Sequence, residues 1–182
     1  MRHFARKFSK SLRRLGLSES GAATVELVIV FPFFLSVFIY AFEVAIMNTR
    51  AVMLERATDI VVRDIRLQGG ADLTYDTVLA QICGIAVVVP DCLETTRIEL
   101  QAVDRDNFQG LTGGVDCIKR DRAIQAPIRF ENGAEHETML MRVCSVIDPI
   151  FPGFGVGRTI PLDPVTGDYK VIASTAFVNE PA

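Results

Sequence analysis

Between Glu26 and Glu43 the chain places sixteen consecutive uncharged residues, most of them large and apolar, with a carboxylate at each end. As a helix they extend about 24 Å, slightly short of a ~30 Å hydrocarbon core. Adding Ala22–Val25 and Val44–Met47 makes the run long enough, provided both carboxylates sit near the interfaces or find partners. An acidic side chain at a span's centre is unfavourable by roughly 2.5–3.5 kcal/mol, so each Glu asks for a compensating group. Pro32 removes one backbone donor inside the run and frees a carbonyl, which membrane helices tolerate when neighbours satisfy it.

The flanks give this run a direction. Before Gly21 stand Arg2, Arg6, Lys7, Lys10, Arg13 and Arg14 against Glu19, a net of +5, so the remainder of a chain of net charge -3 carries -8. A basic segment directly before an apolar span keeps its own side cytoplasmic, and the acidic part crosses. Gly16 and Ser18–Ser20 form a weakly patterned lead-in. Cys83, Cys92, Cys117 and Cys144 all fall in the exported part. An even count in an oxidising compartment predicts two disulfides, with three possible connectivities. The pairing Cys83 with Cys92, around Gly84 and Pro90, and Cys117 with Cys144, between two strand regions, is favoured. In the chain-entropy account each such loop contributes roughly 3 kcal/mol.

The helical pattern continues beyond the apolar run. Tyr40, Val44, Met47, Ala51, Leu54, Thr58, Val61 and Ile65 alternate four and three apart, one stripe leading from the span into a charged, soluble stretch. A single helix from Ala22 to about Leu67, roughly 70 Å long, is expected, ended by Gln68-Gly69-Gly70. After it, Tyr75–Cys83 reads as a short helix capped by Asp72 or Thr74. Thr95–Val103 alternates with Ile98, Leu100 and Ala102 inward; Arg122–Phe130 is a weaker strand, interrupted by Pro127. Thr138–Ile147 and Asp168–Val178 read as strands, and 148–168, with Pro149, Pro152, Pro161 and Pro164, as a long loop. The expected architecture is α+β: a small antiparallel sheet packed on the outer half of the long helix. The divisions are 1–21 leader, 22–47 transmembrane helix, 48–68 amphipathic extension and 69–182 exported domain. At 182 residues the chain suits a span plus one modest domain.

Catalytic and ligand signals are weak. Asp104-Arg105-Asp106-Asn107 has fragments of a calcium loop without its glycine or distal Glu, and reads as a charged turn. Asp163–Asp168 reads as a turn and Glu135-His136-Glu137 as a solvated loop. Metal binding lacks clustered ligands, because His136 has no paired spacing with any Cys. No phosphate-binding glycine motif follows a strand, and no basic-aromatic patch suggests nucleic acid. Neither an enzyme nor a cofactor is expected.

A secretory signal peptide would have a shorter apolar region followed by a small-x-small site, and neither is present. Gly21 to Pro32, with the Val25-Glu26 pair and a proline six residues after the Glu, resembles the TadE-like proteins, the minor pseudopilins of the tight-adherence (Tad) pilus, a type IV-like system. Cys83-Gly84, Asp91-Cys92, Val143-Cys144 and the closing Phe177-Val178-Asn179-Glu180-Pro181 are also similar to that family's pattern, so the resemblance covers most of residues 21–182. It implies a pilin-like fold and cleavage between Gly21 and Ala22 by an aspartyl prepilin peptidase. It further implies a role in assembling or priming the pilus, with major and minor pilins and an inner-membrane assembly platform as partners. Leu27 departs from the pattern, standing where an aromatic residue is common. After cleavage, the Ala22 ammonium and Glu26 lie one helical turn apart on the same face. In resembling pilins that carboxylate meets an N-terminal amine, and helix packing would run through Val25, Pro32, Tyr40, Val44, Met47, Leu54, Val61 and Ile65. The alternative is an uncleaved single-span anchor carrying a periplasmic binding protein or enzyme. A soluble binder released by signal peptidase is a third reading.

Overall fold

A computed structural model describes residues 21–67, 73–104, 114–122, 125 and 129–180. Residues 1–20 of the leader therefore lie outside the described residues, as do Asp72, the glycine stop, residues 105–107 of the calcium-loop fragment and most of the Arg122–Phe130 strand candidate. Contacts divide the chain into two units, one ending at Phe42 and the other running from Glu43 to Ala182. Residues 43–47 thus belong to the second unit.

Helix α1 spans Ala22–Leu67 and includes Pro32. It is long and apolar enough to cross a membrane, with a most apolar window of mean hydropathy 2.3 that is wholly unburied. In the second unit the stripe behaves as its spacing predicts. Leu54, Thr58, Val61 and Ile65 are buried, and Met47 and Ala51 pack at the edge of the same core. Ala57 and Val62 join them, widening the buried face. Thr58 is satisfied within the helix, its hydroxyl donating to the Leu54 carbonyl at 2.8 Å.

Helix α2, Tyr75–Ile85, buries Val78, Leu79 and Ile82; its N-cap is Thr74, whose hydroxyl accepts from the Thr77 amide. A four-residue turn, α3 (Cys92–Thr95), follows Asp91, which adopts a left-handed φ of 47°. It leads directly into β1, Thr96–Ala102. Strands β2 (Thr138–Ile147) and β3 (Tyr169–Val178) complete an antiparallel sheet of order β1-β2-β3, in the register Ile98–Val143–Ala173 and Leu100–Met141–Thr175. The α+β expectation holds. Of the weaker strand candidate, the described residues retain one isolated parallel bridge between Phe130 and Leu100.

Ile98, Leu100 and Ala102 face the core as expected, and Arg97, Glu99 and Gln101 on the opposite face are buried as well. The same holds in β2, where Leu140, Arg142, Cys144 and Val146 are buried beside the core residues Met139, Met141 and Val143. Alternation by polarity therefore does not produce alternation by burial. The second sheet face is covered over β1 and β2, in part by Val115, Cys117 and Ile118 packed on Cys144 and Val146. On β3 that face is open, and Lys170, Ile172, Ser174, Ala176 and Val178 are exposed. Charge on the covered face is paired across strands: the Glu99 carboxylate lies 3.9 Å from Arg142 and from Arg129.

Candidate functional site

Residues 25–42 form the first part of the site. Val25, Leu27, Phe31, Phe34, Phe38 and Phe42 are all more than half exposed, and Pro32 and Glu26 are exposed as well. Tyr40 is also exposed. Among the described residues Glu43 is the first buried side chain of the helix, and the exposed Val25–Tyr40 portion offers an apolar surface to lipid or to another helix.

Glu43 is the residue that changes the picture. It is only 1% exposed, among the most buried side chains of the chain. Its Oε1 accepts from the Phe151 amide at 3.1 Å and its Oε2 from the Val156 amide at 2.8 Å. Two backbone donors directed at one carboxylate are the compensation that a desolvated charge needs. The loop is shaped for this approach. Gly155 has φ +74°, and a Cβ at that position would lie 2.5 Å from Glu43 Oε2. A side chain there is excluded both by backbone conformation and by space. Gly155–Arg158 forms a 3-10 turn inside what was expected to be an unstructured loop. The sequence signalled that Glu43 needed a partner; the partner is more than a hundred residues away, and backbone amides carry no residue-type signature.

Farther along α1, Arg50 donates to the Tyr169 hydroxyl at 2.9 Å. Arg66, in the last turn, pairs with Glu180 at 2.9 Å. Both partners of that last pair are about half exposed, so it contributes little stability. The closing Asn179 is buried. It donates from Nδ2 to the Gly133 carbonyl at 2.9 Å, and its backbone bonds His136 and Glu137. The chain end thus clasps the 131–137 loop, a structural use of residues that the sequence presented only through resemblance.

The cysteines form Cys83–Cys92 and Cys117–Cys144. The first joins α2 to α3; the second fastens the 114–122 segment to β2. Arg120 adds a polar clamp that sequence reading missed. It donates to Asp148 at 2.8 Å, to Asp168 at 2.9 Å and to the Val146 carbonyl at 3.0 Å. Asp168 is buried, and its Oδ2 has no hydrogen-bond partner among the described residues. Burial, followed by its hydrogen bond to Asp148, raises its pKa. Asp148 moves the other way, held down by the hydrogen bond with Asp168 and then by Arg120.

The two shifts have opposite signs in stability. Asp168 binds its proton more tightly when folded, so its contribution is full below its unfolded pKa and is lost as pH rises through the raised folded value. Asp148 contributes above its unfolded pKa, and that contribution is lost as pH falls through the lowered folded value. On acidification from neutral pH, protonation of Asp168 is expected to add stability first. Protonation of Asp148, below the ordinary value of 3.8, then releases Arg120. Thermal melts of the wild type and Asp168→Asn across acidic pH check this: the difference between them should shrink as pH drops toward the ordinary carboxylate value. A pH-independent difference contradicts it.

Asp163 forms the anticipated turn, its Oδ1 accepting from the Val165 and Thr166 amides. His136 has a left-handed φ of 63° in a turn. Among the described residues there is no cluster of three metal-ligating side chains. Comparison of the chain with protein-family models, curated proteins and solved structures returns no match.

Proposed function

We propose that this protein is a minor pseudopilin of a Tad (type IVb-like) pilus, inserted in the bacterial inner membrane with its N-terminus cytoplasmic and its acidic domain periplasmic. The observation that carries the reading is that one helix, Ala22–Leu67, combines two roles. Its first half exposes an unbroken apolar surface, and its second half forms part of the core of a disulfide-braced sheet domain. A passive anchor has no need for its helix to continue into the domain's core. A subunit that must transmit position from a membrane helix to an exported surface does.

On this reading a prepilin peptidase removes residues 1–21, and the new Ala22 ammonium pairs with Glu26 as the helix packs among pilin helices. The exposed Val25–Tyr40 surface supplies the apolar contact to those helices and to the assembly platform. The domain initiates assembly or adheres to a target. Leaving Glu26 buried against neighbouring helices without its amine is unfavourable, since an unpaired desolvated charge is far costlier than a pair.

Glu26→Gln tests the reading. Processing and membrane insertion are expected to be retained, while the amount of this chain in sheared pili, or the pilus yield it supports, falls by about tenfold, equivalent to roughly 1.4 kcal/mol per incorporation step. Unchanged piliation with Glu26→Gln contradicts the proposed pairing.

A further inference from the structure

We infer that the 150–158 loop is a membrane foot, seated in the outer interfacial layer of the bilayer. The inference rests on residues 22–42 being a membrane span and is independent of the pilus role. Glu43 immediately follows Phe42, the last exposed large apolar residue before Val52, so a segment hydrogen-bonded to Glu43 lies near the depth where the span leaves the hydrocarbon. The amides of Phe151 and Val156 make those bonds.

Helix length makes the depth shallow in the lipid rather than clear of it. Sixteen uncharged residues cover about 24 Å of a ~30 Å core, so a carboxylate at one end is drawn toward the apolar boundary. Glu43 is equipped for that position, since both its oxygens are satisfied by protein amides and its side chain is removed from solvent. The donating loop must then occupy the same layer.

The loop's composition fits. Ile150 and Phe154 are 39% and 48% exposed, and Pro152 and Gly153 between them are exposed as well. The protein thus leaves two large apolar side chains uncovered on the segment fastened to the end of the span. Arg158, also exposed, supplies a cation suited to lipid phosphates. Two apolar side chains at this depth, entering about 5–10 Å into the headgroup and acyl boundary, add an attachment that a bare helix lacks.

The chain contains no tryptophan, so single substitutions give clean fluorescence reporters. Full-length protein is reconstituted in phosphatidylglycerol and phosphatidylethanolamine vesicles brominated either near the glycerol backbone or near the chain ends. Phe154→Trp is expected to lose about half its emission to the shallow label and much less to the deep one, as an interfacial ring should. Ile150→Trp is a second reporter should Phe154→Trp disturb the fold. Phe34→Trp, mid-span, is expected to be quenched by the deep label, and Leu93→Trp, 60% exposed beside the Cys83–Cys92 disulfide, by neither. Quenching at Phe34 without shallow quenching at either loop position overturns the foot and leaves the span standing. Absence of quenching at Phe34 overturns the span and the foot with it. Equal quenching at Leu93 and Phe154 overturns the foot as a specific contact.

Discussion

Glu43→Ala is expected to release the 151–156 loop from the helix and to destabilise the second unit by about 3 kcal/mol or more. The substitution removes two charge-assisted hydrogen bonds and leaves the Phe151 and Val156 amides without partners, one of them buried. The replacement is also much smaller than a fully buried side chain, so a void adds to the loss. Hydrogen exchange of the full chain in micelles is the measurement: the two amides should lose protection while the β2 and β3 amides keep theirs relative to the global opening. Gly155→Ala approaches the same contact from the other side. Its Cβ would lie 2.5 Å from the carboxylate oxygen on a backbone with φ +74°, so it should reproduce the exchange pattern with Glu43 intact. Full protection of both amides in both variants contradicts the role assigned to Glu43.

The second large effect is expected at Cys117–Cys144. Replacing both by alanine should lower the stability of the second unit by roughly 3.5 kcal/mol, against about 2.5 kcal/mol for Cys83–Cys92, because the loops closed are 27 and 9 residues. The two losses should also differ in kind. Cys144 is fully buried on the second sheet face, where its bridge holds the segment that packs with Val146. Without it, the 114–122 segment loses its covalent tie to β2 and the packing of Val115 and Ile118 on Val146 is weakened. Cys83–Cys92 joins neighbouring short helices, so its loss should leave the sheet intact. Limited proteolysis at Lys119, Arg120 and Arg122 distinguishes them: cleavage there should accelerate in the Cys117/Cys144 variant alone. Similar rates in both variants would show that Arg120 and its carboxylates hold the segment without the bridge.

The parts of this fold legible in the sequence are those written in local periodicity. The four-three stripe from Met47 to Ile65 located the helix face that enters the core, because helix geometry repeats within a few residues whatever it packs against. Strand β3 was equally legible, since one of its faces is open and polarity follows burial. Strand β1 was legible in its inward residues Ile98, Leu100 and Ala102, but the burial of Arg97, Glu99 and Gln101 was not, because a polar residue carries no local sign of what will cover it.

The candidate site divides along the same line. Gly21, Ala22 and Glu26 form a contiguous motif, whereas the Glu43 latch depends on backbone amides of a glycine- and proline-rich loop that reads as featureless. The Arg120 clamp escaped for a related cause, its three acceptors lying 26 to 48 residues beyond it in unrelated elements.

The central claim, that the Gly21–Ala22 bond is cut so that an amine is created one turn before Glu26, has a direct test. Intact mass of the chain extracted from membranes of a cell that expresses its prepilin peptidase should correspond to a start at Ala22. The unprocessed mass should return when that peptidase is deleted. A chain that retains its leader in the presence of the peptidase, at the mass of the unprocessed protein, would contradict the account.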